Sequence, residues 1–418
     1  MKILLVNTSE RTGGAAIASL RLMHALNNNG VQAKMLVRDK QTENPDVLRL
    51  PTHRILTRAK FCAERAEIFA SNMLRRENLW AVDIATHGTD ITLLPAFQEA
   101  DIIHLNWINQ GMLSLSGIRR IVESGKPIVW TLHDMWPCTG ICHHAENCRG
   151  WLSSCGNCPK LARPGDNDLS ARTFNRKQQA YKDGGICFVA CSHWLADIAR
   201  RAPLLQSHRV ESIPNAIDTQ FYQPGNKAEA RKRLGLPTDK HLMLFVAYKA
   251  TDEQKGINYL IEATRLMAEK RPEWIKKLGV VPVGKEASTL KDAFACPTYP
   301  IDYVTSPEKM RDLYRAADLL VMPTLMDNLP NTIVEAMCCA LPCVAFNIGG
   351  LPQMVQNGLN GFLARYRDAE DFARLSLETL FSSNYRHLAE GAHRTAQASY
   401  SEEVVAAQYI KLYESLLK

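Results

Sequence analysis

The sequence predicts an α/β protein made of two doubly wound parallel-sheet domains. Three observations predict it. Short apolar runs recur along the chain with the near-continuous hydrophobicity of strands buried on both faces. Stretches of helical length lie between several of them, and strand–helix alternation implies parallel sheets. A break rich in Pro, Gly, Asn and Asp at 212–225 (SIPNAIDTQFYQPG) then separates two such series.

In the first half the strand candidates are KILLV, ADIIHL, PIVWTL and CFVAC; in the second they are HLMLFVA, KLGVVPVG, LLVMPT and CVAF. Helices are expected at 256–270, 307–316, 331–339 and 368–382. The last segment, SEEVVAAQYIKLYESLLK (401–418), has an apolar stripe with Ser401 as N-cap. The expected domains are 1–214, with a Cys-rich insertion at 138–160, then 215–396, then a terminal helical segment, 397–418. Residues 54–76 read as a basic amphipathic helix. Arg54, Arg58, Lys60, Arg65, Arg75 and Arg76 are its cations, and Ile55, Phe61, Ile68 and Phe69 supply apolar surface. Such a helix packs on its own domain with a solvated face, or lies on a membrane surface.

The 418 residues, 46% hydrophobic, suffice for two cores. No apolar run approaches the roughly 20 residues that span a bilayer. MKILLV is too short an apolar stretch for a secretory leader and reads as a buried first strand, which gives a cytoplasmic expectation. The net charge of +7 falls on residues 1–214, with 26 Lys+Arg against 19 Asp+Glu; residues 215–418 carry 24 of each. An excess this diffuse speaks against nucleic acid and fits an acidic substrate or an anionic membrane surface. Of the 12 cysteines, five lie between Cys138 and Cys158; the rest, such as Cys338, Cys339 and Cys343, sit in apolar settings as reduced core thiols.

Four segments carry candidate chemistry. After the first strand, Gly13-Gly14 opens a helix. The pair lets a phosphate approach a helix N-terminus, or makes a plain tight turn. It is neither G-x-G-x-x-G nor a Walker loop. His133-Asp134 follows the strand PIVWTL, at the carboxyl end where α/β sheets bind ligands. His133 would bond a sugar hydroxyl with Asp134 orienting it; alternatively Asp134 caps a helix beside a structural His. Lys249 and Lys255-Gly256 follow HLMLFVA and suit a diphosphate, or form a surface turn. Asp327-Asn328-Leu329-Pro330-Asn331-Thr332-Ile333-Val334-Glu335 places two carboxylates across a loop-to-helix junction. One would contact sugar hydroxyls and the other ribose hydroxyls, with the diphosphate on backbone donors between them. The plainer alternative is an acidic first turn plus one surface Glu.

These elements, in this order, resemble the retaining family 4 glycosyltransferases. That family's mark is a Glu, seven residues, then Glu followed by Ala-Met; here the positions are Asp327 and Glu335-Ala336-Met337. Its turn between domains resembles Asn215-Ala216-Ile217-Asp218. Its phosphate site resembles Lys255-Gly256, its glycine turn Gly13-Gly14, and its sugar-contacting His resembles His133. The resemblance implies the GT-B architecture, two facing Rossmann-like domains with the site in the cleft and the final helix returning to the first domain. It also implies a nucleoside-diphosphate sugar donor, catalysis by His133 and Asp327, and donor binding by Gly13, Gly14, Lys249, Lys255, Asn328, Leu329, Asn331, Thr332 and Glu335. The resemblance further implies that no metal is required for catalysis and that, because the leaving diphosphate helps deprotonate the acceptor hydroxyl, no enzymic nucleophile is required. Three departures stand out. Ala250 occupies the place of an Arg for which Lys249 substitutes without a bidentate fork. Asp327 is one methylene short, and Pro330 removes a backbone donor.

WTLHDMWPCTGICHHAENCRGWLSSCGNCPKL resembles a narrower subgroup that includes colanic-acid-type galactosyltransferases of bacterial exopolysaccharide pathways. This implies a lipid-linked saccharide acceptor, capsule or exopolysaccharide synthesis, and peripheral contact with the inner membrane. Cys142, Cys148, Cys155 and Cys158 follow C-x5-C-x6-C-x2-C, a candidate structural zinc site with no open position for catalysis. His143 or His144 could replace one thiol; reduced surface cysteines on an acceptor loop are the alternative. Two rival functions remain at this stage, a nucleotide-sugar epimerase or hydrolase on the same fold and a zinc-knuckle nucleic-acid-binding protein. The knuckle reading lacks the interleaved aromatic and basic residues it needs.

Overall fold

The computed structural model describes residues 1–418 except the side chain of Arg54, so that expected cation lies outside the described residues. The chain divides into two compact units, one of 1–216 with 405–418 and one of 217–404.

In the first unit the order is β1 (Lys2–Ser9), α1 (Gly14–Asn28), β2 (Gln32–Asp39), β3 (Val47–Arg49), α2 (Arg54–Ser71), α3 (Pro95–Glu99), β4 (Ile102–Leu105), α4 (Leu115–Glu123), β5 (Ile128–Leu132), α5 (Leu169–Tyr181), β6 (Ile186–Ala190), α6 (His193–Arg201) and β7 (Arg209–Ser212). All seven strands are parallel in the order β3-β2-β1-β4-β5-β6-β7. The core strands bury nearly every side chain because helices cover both sheet faces. On one face Trp130 stacks on Phe188, and Tyr181 meets it edge-on.

The second unit holds α7 (Lys227–Leu234), β8 (His241–Lys249), α8 (Ile257–Lys270), α9 (Pro272–Ile275), β9 (Leu278–Lys285), α10 (Pro307–Ala316), β10 (Leu319–Met322), α11 (Asn331–Cys338), β11 (Cys343–Phe346), α12 (Leu351–Met354), β12 (Gly361–Ala364), α13 (Ala369–Leu380) and α14 (Tyr385–Tyr400). Its five parallel strands run β12-β11-β10-β8-β9. Both units are therefore Rossmann-like α/β domains, the fold class expected from the sequence. In each the strand order reverses once, beside β1 and β4 in the first and beside β8 and β10 in the second. Ligands of open α/β sheets bind beyond the strand carboxyl ends at such reversals.

Residues 397–400 finish α14. The last helix, α15 (Glu402–Leu417), starts after Ser401, whose Oγ accepts from the Val404 N–H. Val405, Ala406, Tyr409, Leu412 and Tyr413 of α15 pack in the first unit's core with Ile3, Leu5, Val129 and Val189. Beneath them buried His104 bonds Tyr413 Oη at 2.6 Å and Thr131 Oγ1 at 2.7 Å, and Thr131 bonds Tyr409 Oη at 3.0 Å.

Two features of the basic segment 54–76 need correction. The helix ends at Ser71, because Met73 and Leu74 adopt left-handed φ of 56° and 60°. Arg65 does not join an outer basic face. It is buried, donates to Leu79 O and Val82 O, and pairs with Asp83 at 3.0 Å. Among the described residues no helix is long and apolar enough to cross a membrane.

Candidate active site

In the second unit, the loops leaving β8 and β10 meet at the strand reversal. The β8 loop ends at Gly256, whose φ of 77° and close approach admit no side chain. An added Cβ would stand 1.8 Å from the Pro323 carbonyl oxygen. This contact brings Lys255 to the loop after β10, where its Nζ lies 2.7 Å from Asp327 Oδ2. Burial lowers the Lys255 pKa, but Asp327 and then Asp252 outweigh it and hold the ammonium above its ordinary value. Asp327 is fixed from behind by Gly349, where a Cβ would lie 2.1 Å from the Asp327 carbonyl oxygen, and its Oδ1 accepts from the Asn328 N–H.

Pro330 then occupies the N-cap of α11, where no side chain caps the helix. Asn328 and Leu329 are buried before it, and Asn331 and Thr332 form its first turn. Thr332 Oγ1 is buried without a hydrogen-bond partner among the described residues, beside a positive helix end. Glu335 is buried one turn later and accepts from Tyr314 Oη of α10 at 2.6 Å. Lys249 stands apart: its ammonium pairs with Glu286 at 3.1 Å.

In the first unit Gly13, at φ 90°, is the N-cap of α1, and both Gly13 and Gly14 face open space. His133 follows β5. Its Nε2 contacts Asn106 Oδ1 at 3.2 Å and its Nδ1 faces Cys191 Sγ at 3.7 Å. Burial pushes its pKa down to about 4 against the pull of Asp134, so the ring is neutral at pH 7.

Of the two roles the sequence left open for Asp134, its hydrogen bonds match the capping one. Its Oδ1 accepts from the Trp136 N–H at 2.8 Å; its Oδ2 accepts from Trp107 Nε1 at 2.9 Å and pairs with His143 Nδ1 at 2.8 Å. The residue thus caps the turn Trp136–Cys138 and ties it to the loop after β4. Burial opposes ionisation of Asp134, but His143 and the backbone donor win and hold its carboxyl well below the usual range.

Cys142, Cys148, Cys155 and Cys158, none in a disulfide, line one cavity of about 20 Å³ in the loop between β5 and α5. His144 is exposed, and His143 is held by Asp134. Among the described residues no group of three or more His, Cys, Asp or Glu side chains is already arranged to hold a metal ion.

Sequence reasoning missed Tyr314 and Asn106, which hold Glu335 and His133. Each reaches its partner from a different strand–helix unit, so no local spacing signals it. Tyr314 carries one trace, since it lies beside Leu313 on the buried stripe of α10.

Residues 12–221, just over half the chain, match the family described as Glycosyltransferase Family 4, and residues 240–380 match Glycosyl transferases group 1. The chain belongs to glycosyltransferase family 4. A D-inositol 3-phosphate glycosyltransferase of Streptosporangium roseum is 30% identical over 220 residues, covering 49% of each chain. The chain thus matches about half the length of such curated relatives. Among solved structures, sucrose-phosphate synthase of Thermosynechococcus elongatus superposes with TM-score 0.68 at 19% identity, covering 99% of this chain and 98% of that one. HepE of Anabaena in complex with UDP-glucose gives 0.64 at 16%, covering 99% and 100%. The fold is of the GT-B type.

Proposed function

We propose that this glycosyltransferase moves a hexosyl unit, with retention, from a nucleoside-diphosphate sugar to a lipid-linked saccharide in bacterial capsular or exopolysaccharide synthesis. The observation that carries the donor reading is the grouping at the β8/β10 reversal, where Lys255 pairs with Asp327 on the loop that feeds the uncapped start of α11 and Glu335 lies buried one turn into that helix. The diphosphate takes Lys255 and the α11 N–H groups, Glu335 accepts from the ribose hydroxyls, and Asp327 and His133 contact the sugar. Asn328, Leu329, Asn331 and Thr332 shape the donor pocket, and Gly13-Gly14 leaves room for phosphate. Lys249 reaches the diphosphate only by leaving Glu286. The bond from C1 to the diphosphate oxygen breaks as C1 bonds the acceptor oxygen on the same face, and the acceptor proton passes to the diphosphate. Catalysis then consists of charge stabilisation and positioning. The UDP-glucose named in the HepE complex supports a uridine-diphosphate hexose among the donors to test.

The acceptor reading draws on the resemblance of 130–161 to colanic-acid-type galactosyltransferases. Support for a cytoplasmic enzyme touching the inner membrane comes from exposed Ile55, Leu56, Met73, Leu74 and Trp80 beside exposed Arg58, Arg75 and Arg76.

The test is a thermal-shift screen of purified protein with UDP-, GDP-, ADP- and dTDP-sugars. One nucleotide class should raise the midpoint, by about 2.7 kcal/mol of stabilisation at a hundredfold excess over Kd. The rise should vanish in Glu335→Ala. A shift with no class, or one unchanged by Glu335→Ala, overturns the donor assignment. Release of free sugar or an epimer without acceptor would favour the hydrolase or epimerase reading.

A further inference from the structure

The loop from His133 to Asp168 joins β5 to α5 and carries no regular element beyond two short 3-10 turns. A loop of this length inside a compact domain needs something to fix it. Its four cysteines come together on one cavity although they are dispersed along the loop from Cys142 to Cys158. Cys142 is brought in by a bridge to Val82, and Cys155 and Cys158 by the left-handed run Cys155 (φ 59°), Gly156 (φ 96°) and Asn157 (φ 47°).

The shared cavity of about 20 Å³ has room for one atom-sized guest. Water is a poor occupant, because it needs two to four polar partners. The hydroxyls on the cavity wall are already engaged: Thr139 Oγ1 donates to Cys142 O at 2.6 Å, and Ser170 Oγ donates to Asp168 at 2.6 Å. Thiols are what remains, and they suit a soft, tetrahedral cation. Backbone N–H groups point at two of them, Gly140 at Cys155 Sγ (3.2 Å) and Gly150 at Cys148 Sγ (3.4 Å), the kind of outer contact that orients a metal-bound sulfur.

We infer that Cys142, Cys148, Cys155 and Cys158 bind one structural Zn²⁺ that locks the loop following His133. Binding draws the sulfurs inward, releases four protons to solvent and leaves a site of charge −2. Buried Lys177, whose Nζ donates to Trp136 O and Thr139 O, lies within electrostatic reach of Cys142 and Cys155. The ion would staple the strand end that carries His133 and Asp134, with no coordination position open to substrate.

Metal analysis of the full chain, purified without chelator from zinc-supplemented culture, tests this. The expected result is one zinc per chain, retained on dialysis and unchanged in Cys62→Ser, whose thiol is exposed elsewhere. Cys155→Ser and Cys158→Ser should each lose it. Because these variants could misfold, the wild type is also stripped and titrated with Co²⁺. Intense visible bands of a tetrahedral thiolate site, displaced stoichiometrically by Zn²⁺, are expected. Protein that carries no zinc as purified and gives no such cobalt spectrum overturns the inference, as does zinc retained by the Cys155→Ser/Cys158→Ser double variant.

Discussion

Tyr314→Phe removes one oxygen atom and leaves the packing intact. The ring is 1% exposed and its hydroxyl is 2.6 Å from Glu335, itself 8% exposed. Burial holds the phenol far above its usual pKa, with Glu335 adding to the effect, so it remains a donor throughout the accessible pH range. A hydrogen bond to a charged group contributes about 1.5–3 kcal/mol net, and water has little access to replace it here. The second unit should lose stability by that amount. Donor affinity should fall as well, by a different route. On the proposed ribose contact, a Glu335 that has lost the Tyr314 bond is held less firmly and must be immobilised when the donor binds, at about 0.5–1.5 kcal/mol, so the donor Kd should rise about two- to tenfold. The measurement is urea unfolding, following the transition that nucleotide shifts, in a cycle with Glu335→Gln, plus calorimetric titration of UDP or the base identified by the screen. Coupling between the two substitutions below about 0.5 kcal/mol is the size of ordinary additivity error and would refute the reasoning. Unchanged donor affinity in a destabilised Tyr314→Phe protein would leave Tyr314 a purely structural residue.

Two further outcomes follow from the same structure. Gly256→Ala should destabilise the second unit by about 2 kcal/mol or more, since a left-handed Ala costs about 1–2 kcal/mol before the Pro323 carbonyl is displaced; it should also weaken nucleotide binding by moving Lys255, and wild-type urea midpoints and titrations would contradict this. His104, pushed down to about 3 by burial and then by His133, must take up a proton when the first unit unfolds below its ordinary pKa of about 6.5. The folded state binds fewer protons between pH 6.5 and 3, so stability should fall, by on the order of a few kcal/mol, as pH drops through that window. His104→Gln should flatten an unfolding profile taken from pH 7 to pH 4, and an unaltered slope would count against the assignment.

How much of this was legible in the sequence depends on whether the relevant distances lie along the chain or across it. Strands such as KILLV and LLVM were readable because both faces are buried and the runs are continuous. Strand β7, RVES, lies at the sheet edge with mixed burial and has no such signature. Lys255-Gly256 and the 327–335 segment could be picked out as separate candidates, because glycine turns and helix starts leave local marks. The ion pair that joins them depends on Gly256 touching Pro323 from a loop two strands away along the chain, which no spacing rule encodes. Arg65 shows the opposite failure. Its place in a basic stretch suggested solvent, whereas Asp83 and two carbonyls, all further along the chain, hold it inside.

The Lys255–Asp327 pair bears on why one lysine can serve where Ala250 stands in place of an Arg. Lys255 is 35% and Asp327 17% exposed, and pairs so open to water are worth about 0–1 kcal/mol. A diphosphate carries more charge than a single carboxylate and offers more oxygens, and charge-assisted bonds to it gain further from the start of α11. Under the proposed donor reading, exchange of Asp327 for diphosphate on Lys255 would be downhill, and the carboxylate it frees would then be available to the sugar hydroxyls. Before the donor arrives, Asp327 keeps Lys255 charged and aimed at the strand reversal. Lys249, which loses Glu286 and its own rotamer freedom if it moves, has no comparable incentive. On this reading Lys255→Ala removes nearly all of the cationic contribution to diphosphate binding, and Lys249→Ala removes little of it.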